Sequence, residues 1–192
     1  MKTLFISYLP RGEQSFTRKL VNYWQSQIPN DFLIQNWDLI KNPPPFFQKA
    51  EILAYESPLY PHPDLQEFYQ ISNYIKENPI LVISFPIYNF SMPGIIKTFL
   101  DTICLQGETW AIQNGKYQGL LNQHRVAILT SCGGKEPLPQ ENYNKLILEK
   151  IFHFLGVEDI RFFNLAETSS RDIFTNFQKT QSEILKTIQD WY

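Results

Sequence analysis

Three polar segments in this sequence follow apolar runs typical of strands, and their residue types could bind a ligand. The first, residues 7–17, carries the hydroxyl side chains of Ser15 and Thr17. The second, residues 86–93, reads Pro-Ile-Tyr-Asn-Phe-Ser-Met-Pro, and the third, residues 130–134, reads Thr-Ser-Cys-Gly-Gly. Ligands of open α/β sheets bind beyond the carboxyl ends of the strands. The three segments, in this order, therefore predict one shared binding site.

The first segment lies between a predicted strand and a predicted helix. The start of a helix offers unpaired N–H groups and a positive dipole end, which suit a phosphate. The hydroxyls of Ser15 and Thr17 could donate to the same phosphate, and Gly12 would allow a tight approach. The segment contains neither a Gly-x-Gly-x-x-Gly fingerprint nor a Walker A loop. Helix capping by Ser15 or Thr17 is the open alternative.

The second and third segments carry groups that could border a flavin ring. Such a ring needs a flat apolar wall and backbone N–H groups aimed at its edge. Tyr88, Asn89 and Phe90 could provide the wall and some of the donors. Gly133 and Gly134 would let backbone approach the ring without obstruction by a side chain. The alternatives are a turn with two buried aromatics, which we favour for Phe90 taken alone, and a plain glycine turn. The three segments together favour a flavin site.

The cysteines and histidines show no pattern of a catalytic or metal site. Cys132 has no histidine close in sequence that would activate it as a nucleophile, so we interpret it as a loop residue. Cys104 and Cys132 fit no disulfide framework, which indicates reduced thiols. His62, His124 and His153 are too scattered to have ligand spacing. We therefore predict no metal site and no catalytic side chain among these residues.

Composition excludes several classes of function. The chain has 192 residues, of which 43% are hydrophobic and 15% aromatic, which is enough for the core of one domain. The net charge is −2 and there is no Lys/Arg cluster, which argues against nucleic-acid or membrane partners. No apolar run approaches the ~20 residues of a membrane helix. Since the first residues enter a strand pattern directly, we expect no signal peptide and a cytoplasmic protein.

Strand and helix patterns alternate along the whole chain. The strands are expected at residues 3–7, 32–38, 80–85, 125–130 and 160–165. Helices are expected at residues 16–28, 65–76, 93–103, 146–155 and 173–188. Residues 41–64 interrupt the alternation with several prolines, as a lid or a packed excursion would. The alternation predicts one α/β domain over residues 1–192, with a parallel sheet and right-handed crossovers.

Together, these segments resemble the FMN-dependent NADH-azoreductase family, within the flavodoxin-like NAD(P)H:quinone oxidoreductases. Residues 86–90 are similar to the family's Pro-Met-Tyr-Asn-Phe loop. Residues 131–134 are similar to its Ser-Arg-Gly-Gly loop, with a cysteine in place of the arginine. Residues 10–17 resemble its Ser-Pro-Arg-Gly-x-x-Ser-x-Ser phosphate loop. The likeness covers nearly the whole chain in order.

The resemblance implies a fold, a cofactor and an activity. The expected fold is a flavodoxin-like three-layer sandwich, with a five-stranded parallel sheet in the order 2-1-3-4-5 and helices on both faces. The expected activity is two-electron transfer from NADH or NADPH, through bound FMN, to quinones or azo compounds with ping-pong kinetics. A homodimer with its pocket at the subunit interface is also expected. The implied cofactor-binding residues are Ser15, Phe16, Thr17, Pro86, Ile87, Tyr88, Asn89, Phe90, Ser131, Cys132, Gly133 and Gly134.

The chain departs from the family pattern in places. Leu9 occupies the position of the first phosphate-loop serine, which predicts a weaker hold on phosphate. Ile112 occupies the position of a tyrosine of the substrate pocket, whereas the late-helix phenylalanine is kept as Phe154. With Phe90, these two residues form the expected substrate pocket. Residues 135–139 do not follow the family pattern.

Other functions share part of the signal. An NAD(P)H-dependent FMN or metal reductase would have the same fold and the same second loop, so the sequence does not separate it. A flavodoxin-type electron carrier is usually more acidic than a chain of net charge −2 and has a Thr-rich phosphate loop. A receiver domain needs an acidic pair after the first strand, and residues 5–8 contain none. The reductase is the favoured interpretation.

Overall fold

Seven strands and six α-helices lie within residues 2–135 and 142–192, which are the residues that the computed structural model of the protein describes. The strands are β1 (Lys2–Ser7), β2 (Leu33–Asp38), β3 (Ile80–Pro86), β4 (Trp110–Gln113), β5 (Lys116–Gly119), β6 (Arg125–Ser131) and β7 (Asp159–Leu165). The helices are α1 (Phe16–Gln27), α2 (Lys49–Tyr55), α3 (Gln66–Lys76), α4 (Gly94–Ile103), α5 (Tyr143–Phe154) and α6 (Ile173–Trp191). The sequence did not predict α2, β4 or β5.

Five parallel strands form the central sheet, in the order β2-β1-β3-β6-β7. This arrangement confirms the predicted order. The chain leaves β1 towards β2 on one side and returns to β3 on the other, so the crevice of this topology opens beside β1 and β3. The hydroxyls of Ser7 and Ser84 lie 2.7 Å apart across these two strands. The loops after β1, β3 and β6 therefore meet at the carboxyl edge.

The helices cover both faces of the sheet. Because side chains of a strand alternate between faces, Leu4 and Ile6 of β1 pack with α3, α4 and α5, while Phe5 packs with α1 and α6. On the α1–α6 face, the ring of Trp24 lies 5.7 Å from that of Phe163 and 5.8 Å from that of Trp191. Two separate apolar layers result, which confirms the three-layer sandwich.

The proline-rich residues 41–64 pack against the helices. Ala54 of α2 is buried in an apolar cluster together with Leu65 of the following turn. The Tyr60 hydroxyl and the Lys76 ammonium both donate to the buried Glu108 carboxylate. A buried carboxylate requires such partners, so these hydrogen bonds fasten the segment to the loop before β4.

Strands β4 and β5 form a short antiparallel hairpin beside the sheet. Its turn residues, Asn114 and Gly115, both have positive φ, at 52° and 72°. Asn-Gly is the preferred pair for such a turn. The ring of Trp110 lies 5.6 Å from that of Tyr117 and 5.2 Å from that of Phe154, so the hairpin is held against the end of α5. Across residues 2–135 and 142–192, no helix has the length and apolar character that a membrane span needs.

Candidate functional site

A cavity of about 810 Å³ opens at the carboxyl edge of the sheet. It lies between the loop after β3, the loop after β6 and the start of α5. Its lining residues are Ile87, Asn89, Phe90, Cys132, Gly133, Gly134, Lys135, Asn142, Tyr143 and Asn144. The second and third segments singled out in the sequence thus form two walls of one cavity.

The loop after β3 is a tight turn in which two residues adopt the left-handed conformation. The Tyr88 N–H donates to the Ser91 carbonyl at 3.0 Å, and the Ser91 N–H donates to the Tyr88 carbonyl at 2.9 Å, so the turn is closed by two hydrogen bonds. Asn89 has φ 48° and Phe90 has φ 67°. This conformation is energetically unfavourable for a bulky residue, and such strain is concentrated at functional sites. Phe90 is 95% exposed, so the alternative of two buried aromatics is wrong for this ring.

Asn144, near the start of α5, holds this turn in place. Its Oδ1 accepts the Met92 N–H at 2.7 Å, and its Nδ2 donates to the Phe90 carbonyl at 3.1 Å. The side chain is buried, so both bonds are sheltered from water. Sequence reasoning missed this residue. Its position at a helix start indicates capping, but the capping side chain is Asn142, which accepts the Lys145 N–H at 3.1 Å.

Four backbone N–H groups on the cavity walls are available to a ligand. Within residues 2–135 and 142–192, no acceptor is hydrogen-bonded to the N–H groups of Asn89, Phe90, Gly133 or Gly134. Two of these donors belong to the turn and two to the glycine pair. They lie on two walls, so a flat molecule in the cavity could accept hydrogen bonds along its edges.

The loop after β6 joins the first segment to the cavity. The Ser131 and Thr17 hydroxyls, both buried, form a hydrogen bond of 2.6 Å. The next residue, Cys132, donates its N–H to Leu165 at 3.0 Å, and its carbonyl accepts from Thr168 at 3.1 Å. These bonds tie the glycine pair to the end of β7, so its backbone is positioned by the sheet.

The first segment forms the start of α1. Ser15 is the N-cap residue, and its hydroxyl accepts the Arg18 N–H at 3.5 Å, as the capping alternative predicts. The N–H groups of Phe16 and Thr17 have no acceptor within a helix that begins at this point, which leaves them open to an anion. Leu9 is buried in the apolar layer under α1 and α6, so its side chain anchors the loop there.

Eight of the residues implied by the resemblance do not line this cavity: Ser15, Phe16, Thr17, Pro86, Tyr88, Ser131, Ile112 and Phe154. The ring of Phe16 lines a different cavity, between α1 and α6. Ile112 lies on β4 and Phe154 at the end of α5, and neither is among the lining residues. Ile112 is 53% exposed and Phe154 37%. Within one chain, these two residues and Phe90 therefore do not form a common pocket.

Implied residues at and just after the end of β3 support the walls. Pro86 ends β3 opposite Ser131, and the Ile87 N–H donates to the Ser131 carbonyl at 2.9 Å. Tyr88 begins the turn and is 41% exposed. Residues 136–141, which include most of the stretch that departs from the family pattern, lie outside the residues described.

The chemistry of the cavity is that of hydrogen-bond donors and apolar surface. Among the described residues, its lining includes no carboxylate and no imidazole, and its cation is Lys135. No group of three or more His, Cys, Asp or Glu side chains suited to a metal occurs in residues 2–135 and 142–192. The second thiol, Cys104, lies outside the cavity. Burial, together with the nearby Asp101, raises the pKa of Cys104 to about 11, so this thiol is a poor nucleophile at neutral pH.

Comparisons with known proteins agree with this geometry. A family profile described as "Flavodoxin-like fold" matches residues 1–188. An FMN-dependent NADH:quinone oxidoreductase of Nostoc punctiforme is 28% identical over 98% of both chains. One of Trichormus variabilis is 32% identical over 84% of this chain and 82% of its own.

Solved structures show the same fold at lower identity. An FMN-dependent NADH-azoreductase from Bacillus anthracis, in complex with FMN, superposes with a TM-score of 0.87 over 100% of this chain and 99% of its own, at 23% identity. A second azoreductase from that organism gives a TM-score of 0.84 at 18% identity, with 99% of each chain covered. With a family match over nearly its full length and a relative above 30% identity across most of both sequences, the chain belongs to the flavodoxin-like fold family and, within it, to the family of the FMN-dependent NADH:quinone oxidoreductases.

Proposed function

We propose that this protein is an FMN-dependent oxidoreductase that transfers two electrons from NADH, or NADPH, to quinones or azo compounds. The observation that carries the proposal is the cavity between the left-handed turn at Asn89–Phe90 and the glycine pair at Gly133–Gly134. Its position, at the carboxyl edge beside the crevice of the sheet, is that of ligand sites in this fold class. The names of the relatives support the activity, and the azoreductase neighbour in complex with FMN supports the cofactor.

The residues present fit FMN. The cavity volume lies within the range of cofactor sites, roughly 300–1,000 Å³. The N–H groups of Asn89, Phe90, Gly133 and Gly134 would donate to the edges of the ring, and the start of α1 would receive the phosphate. Because the Leu9 side chain is buried in the core, backbone N–H groups would make more of the contacts with the FMN phosphate than in a loop with a serine at that position.

The chemistry that FMN supplies when bound is the exchange of two electrons between a reduced nicotinamide and an organic acceptor. The chain has to bind and orient the reactants. N–H dipoles fixed by the Tyr88–Ser91 turn and by Asn144 stabilise negative charge on a bound ring without moving. The exposed Phe90 ring provides an apolar surface for a flat substrate. Lys135 adds a positive charge at the rim.

We further propose that electron donor and acceptor use this cavity in turn, which gives ping-pong kinetics, and that the enzyme works in the cytoplasm, where NADH is available. Initial rates with NADH and a soluble quinone test the kinetic proposal. Double-reciprocal plots at several quinone concentrations are expected to be parallel. Quinone reduction itself is expected to require added or bound FMN. Intersecting lines would contradict alternating use of one cavity. Accumulation of free reduced FMN without quinone reduction would favour the flavin reductase.

The exposed side of α5 supports a homodimer. Its apolar residues recur at helical spacing and are from 37% to 66% exposed: Tyr143, Leu146, Ile147 and Phe154. Ile112 and Tyr117 of the hairpin add exposed apolar surface beside the end of this helix. Exposed apolar side chains that cluster on one side of a helix mark interaction sites. We propose that it pairs with a second copy, and that Ile112 and Phe154 of the partner subunit complete the substrate pocket over Phe90.

A further inference from the structure

A second cavity, of about 370 Å³, lies between the first turns of α1 and α6. Its lining residues are Phe16, Lys19, Ile173, Phe174, Phe177, Gln178 and Gln181. It shares no lining residue with the cavity beside Phe90. It also lies on the α1–α6 face of the sheet, opposite α5. The Phe16 N–H belongs to the proposed phosphate site, but neither that site nor the proposed dimer accounts for the cavity itself.

The walls of this cavity are aromatic and accessible. The Phe174 ring is 78% exposed, although it lies one residue into a helix whose inner side is well packed. Phe16 and Phe177 are half-buried and contact the apolar layer below. An exposed phenylalanine next to two partly exposed ones costs hydrophobic free energy, which a flat apolar ligand would recover.

One positive charge and two amides complete the lining. The Lys19 ammonium lies 4.6 Å from the centroid of the Phe16 ring, within cation–π distance. Within residues 2–135 and 142–192, no carboxylate forms an ion pair with Lys19. Among the described residues, no Asp or Glu lines the cavity either, whereas Gln178 and Gln181 offer amide groups. The cavity is therefore complementary to an anion attached to an apolar ring.

We propose that this cavity binds a flat aromatic molecule of one or two rings that carries an anionic group. The rings pack between Phe16, Phe174 and Phe177, and the anionic group meets the Lys19 ammonium. The cavity volume sets the size limit, because about 370 Å³ is near the lower end of ligand sites. This inference does not depend on the proposed redox activity.

Naphthalene-2-sulfonate is a suitable probe, with neutral naphthalene-2-sulfonamide as its uncharged counterpart. The ¹H–¹⁵N spectrum of the FMN-saturated protein is followed during titration with each compound. The sulfonate is expected to shift the amides of residues 16–19 and 173–181. Lys19→Gln should weaken the sulfonate about two- to fivefold and leave the sulfonamide unchanged, as expected for a cation at an exposed aromatic site.

Lys179→Gln is the matched control, because this lysine is exposed on α6, the other helix that forms the cavity, but does not line it. It should leave both affinities unchanged. Phe174→Ala, at a largely exposed position, should fold normally and weaken both probes about tenfold. The proposal is overturned if the shifts are confined to residues 87–90 and 132–135, or if Lys19→Gln and Lys179→Gln have equal effects. A protein that fails to bind FMN can be titrated in the same way, with the amides of residues 173–181 as the readout, because residues 16 and 17 also belong to the proposed phosphate site. The two proposals therefore fail separately.

Discussion

The Thr17 and Ser131 hydroxyls, 114 residues apart in sequence, share a buried hydrogen bond of 2.6 Å at the carboxyl edge of the sheet. This bond joins the start of α1 to the loop that carries Gly133 and Gly134. The two regions proposed to hold the phosphate and the ring of one cofactor are thereby fixed relative to each other. Such fixed spacing lowers the entropic cost of binding a ligand that spans both.

Removal of the Thr17 hydroxyl tests this connection. Thr17→Val keeps the shape of the side chain but leaves the buried Ser131 hydroxyl without its partner. We expect a loss of about 1–3 kcal/mol in the free energy of unfolding, the cost of an unsatisfied buried hydroxyl, and weaker FMN binding. Urea denaturation without FMN and FMN titration measure the two effects. Thr17→Ser, which keeps the hydroxyl, should be close to wild type, and equal losses in both variants would refute the role of the bond.

Loss of the Asn144 side chain should release the turn at Asn89–Phe90. In Asn144→Ala, the Met92 N–H and the Phe90 carbonyl lose their partner, so the turn amides should exchange with solvent faster. FMN affinity should fall by about tenfold, equivalent to one lost hydrogen bond of typical strength. Glu149→Gln is the control, because this residue lies on the same helix, outside the cavity lining, and pairs with Lys145 rather than with the turn. Similar FMN affinities in the two variants would show that the contacts of Asn144 with the turn do not support FMN binding.

Phe90 should show a trade-off between stability and activity. Its φ of 67° is costly for any residue with a Cβ atom. Phe90→Gly should therefore be more stable than Phe90→Ala by about 1 kcal/mol, as measured by urea denaturation. Both variants lose the exposed ring, so both should have a raised KM for quinone. A normal KM for quinone in either variant would show that the Phe90 ring is not part of the substrate pocket.

Acid should weaken the attachment of residues 41–64. Burial alone would raise the pKa of Glu108, but hydrogen bonds from Lys76 and Tyr60 outweigh it and hold the pKa below its ordinary value of 4.5. The stability that this carboxylate provides is present above the unfolded-state pKa and is lost as the pH falls through the folded-state pKa. The same contact raises the pKa of Tyr60 to about 12.

Glu108→Gln isolates this effect. The difference in unfolding free energy between wild type and variant should be largest at neutral pH. It should shrink as the pH falls from the unfolded-state pKa of Glu108 through its lower folded-state pKa, because the wild-type carboxylate is then progressively protonated. Urea titrations across this pH range measure it. A difference that does not change with pH would show that the charge of Glu108 contributes nothing to stability.

A charge on the exposed side of α5 should disrupt the proposed dimer. Leu146→Glu, at a position that is 47% exposed in the single chain, should fold but sediment as a monomer. If Phe154 of the partner subunit completes the pocket, quinone reduction should fall with dissociation while FMN remains bound. Ser182→Glu, on the exposed surface of α6, should change neither property. A wild-type protein that sediments as a monomer would exclude the dimer.

The sequence predicted the sheet well because its inner strands are continuous apolar runs, such as Ile80–Phe85, and its helices have clear apolar faces. The β4–β5 hairpin was missed because its strands have four residues each and are largely exposed. The Asn114-Gly115 pair was a usable signal for its turn. Helix α2 was missed because the prolines around it dominate the pattern of residues 41–64.

The site was only partly predictable. Loops after parallel strands meet at one edge, so Asn89, Gly133 and the start of α1 could be grouped from the sequence. The role of Asn144 depends on a contact between distant segments, which no local pattern reveals. Ile112 and Phe154 were assigned by resemblance, and the fold of a single chain places both outside the cavity walls.

We propose that the cavity beside Phe90 holds FMN that exchanges two electrons. The most direct test is the visible absorption spectrum of the protein saturated with FMN, recorded anaerobically before and after NADH and then after a quinone. We expect a spectrum of bound flavin that bleaches with NADH and recovers when the quinone is added. A protein that binds no FMN, or whose bound FMN is not bleached by NADH or NADPH, would show that the cavity is not a site for redox-active FMN.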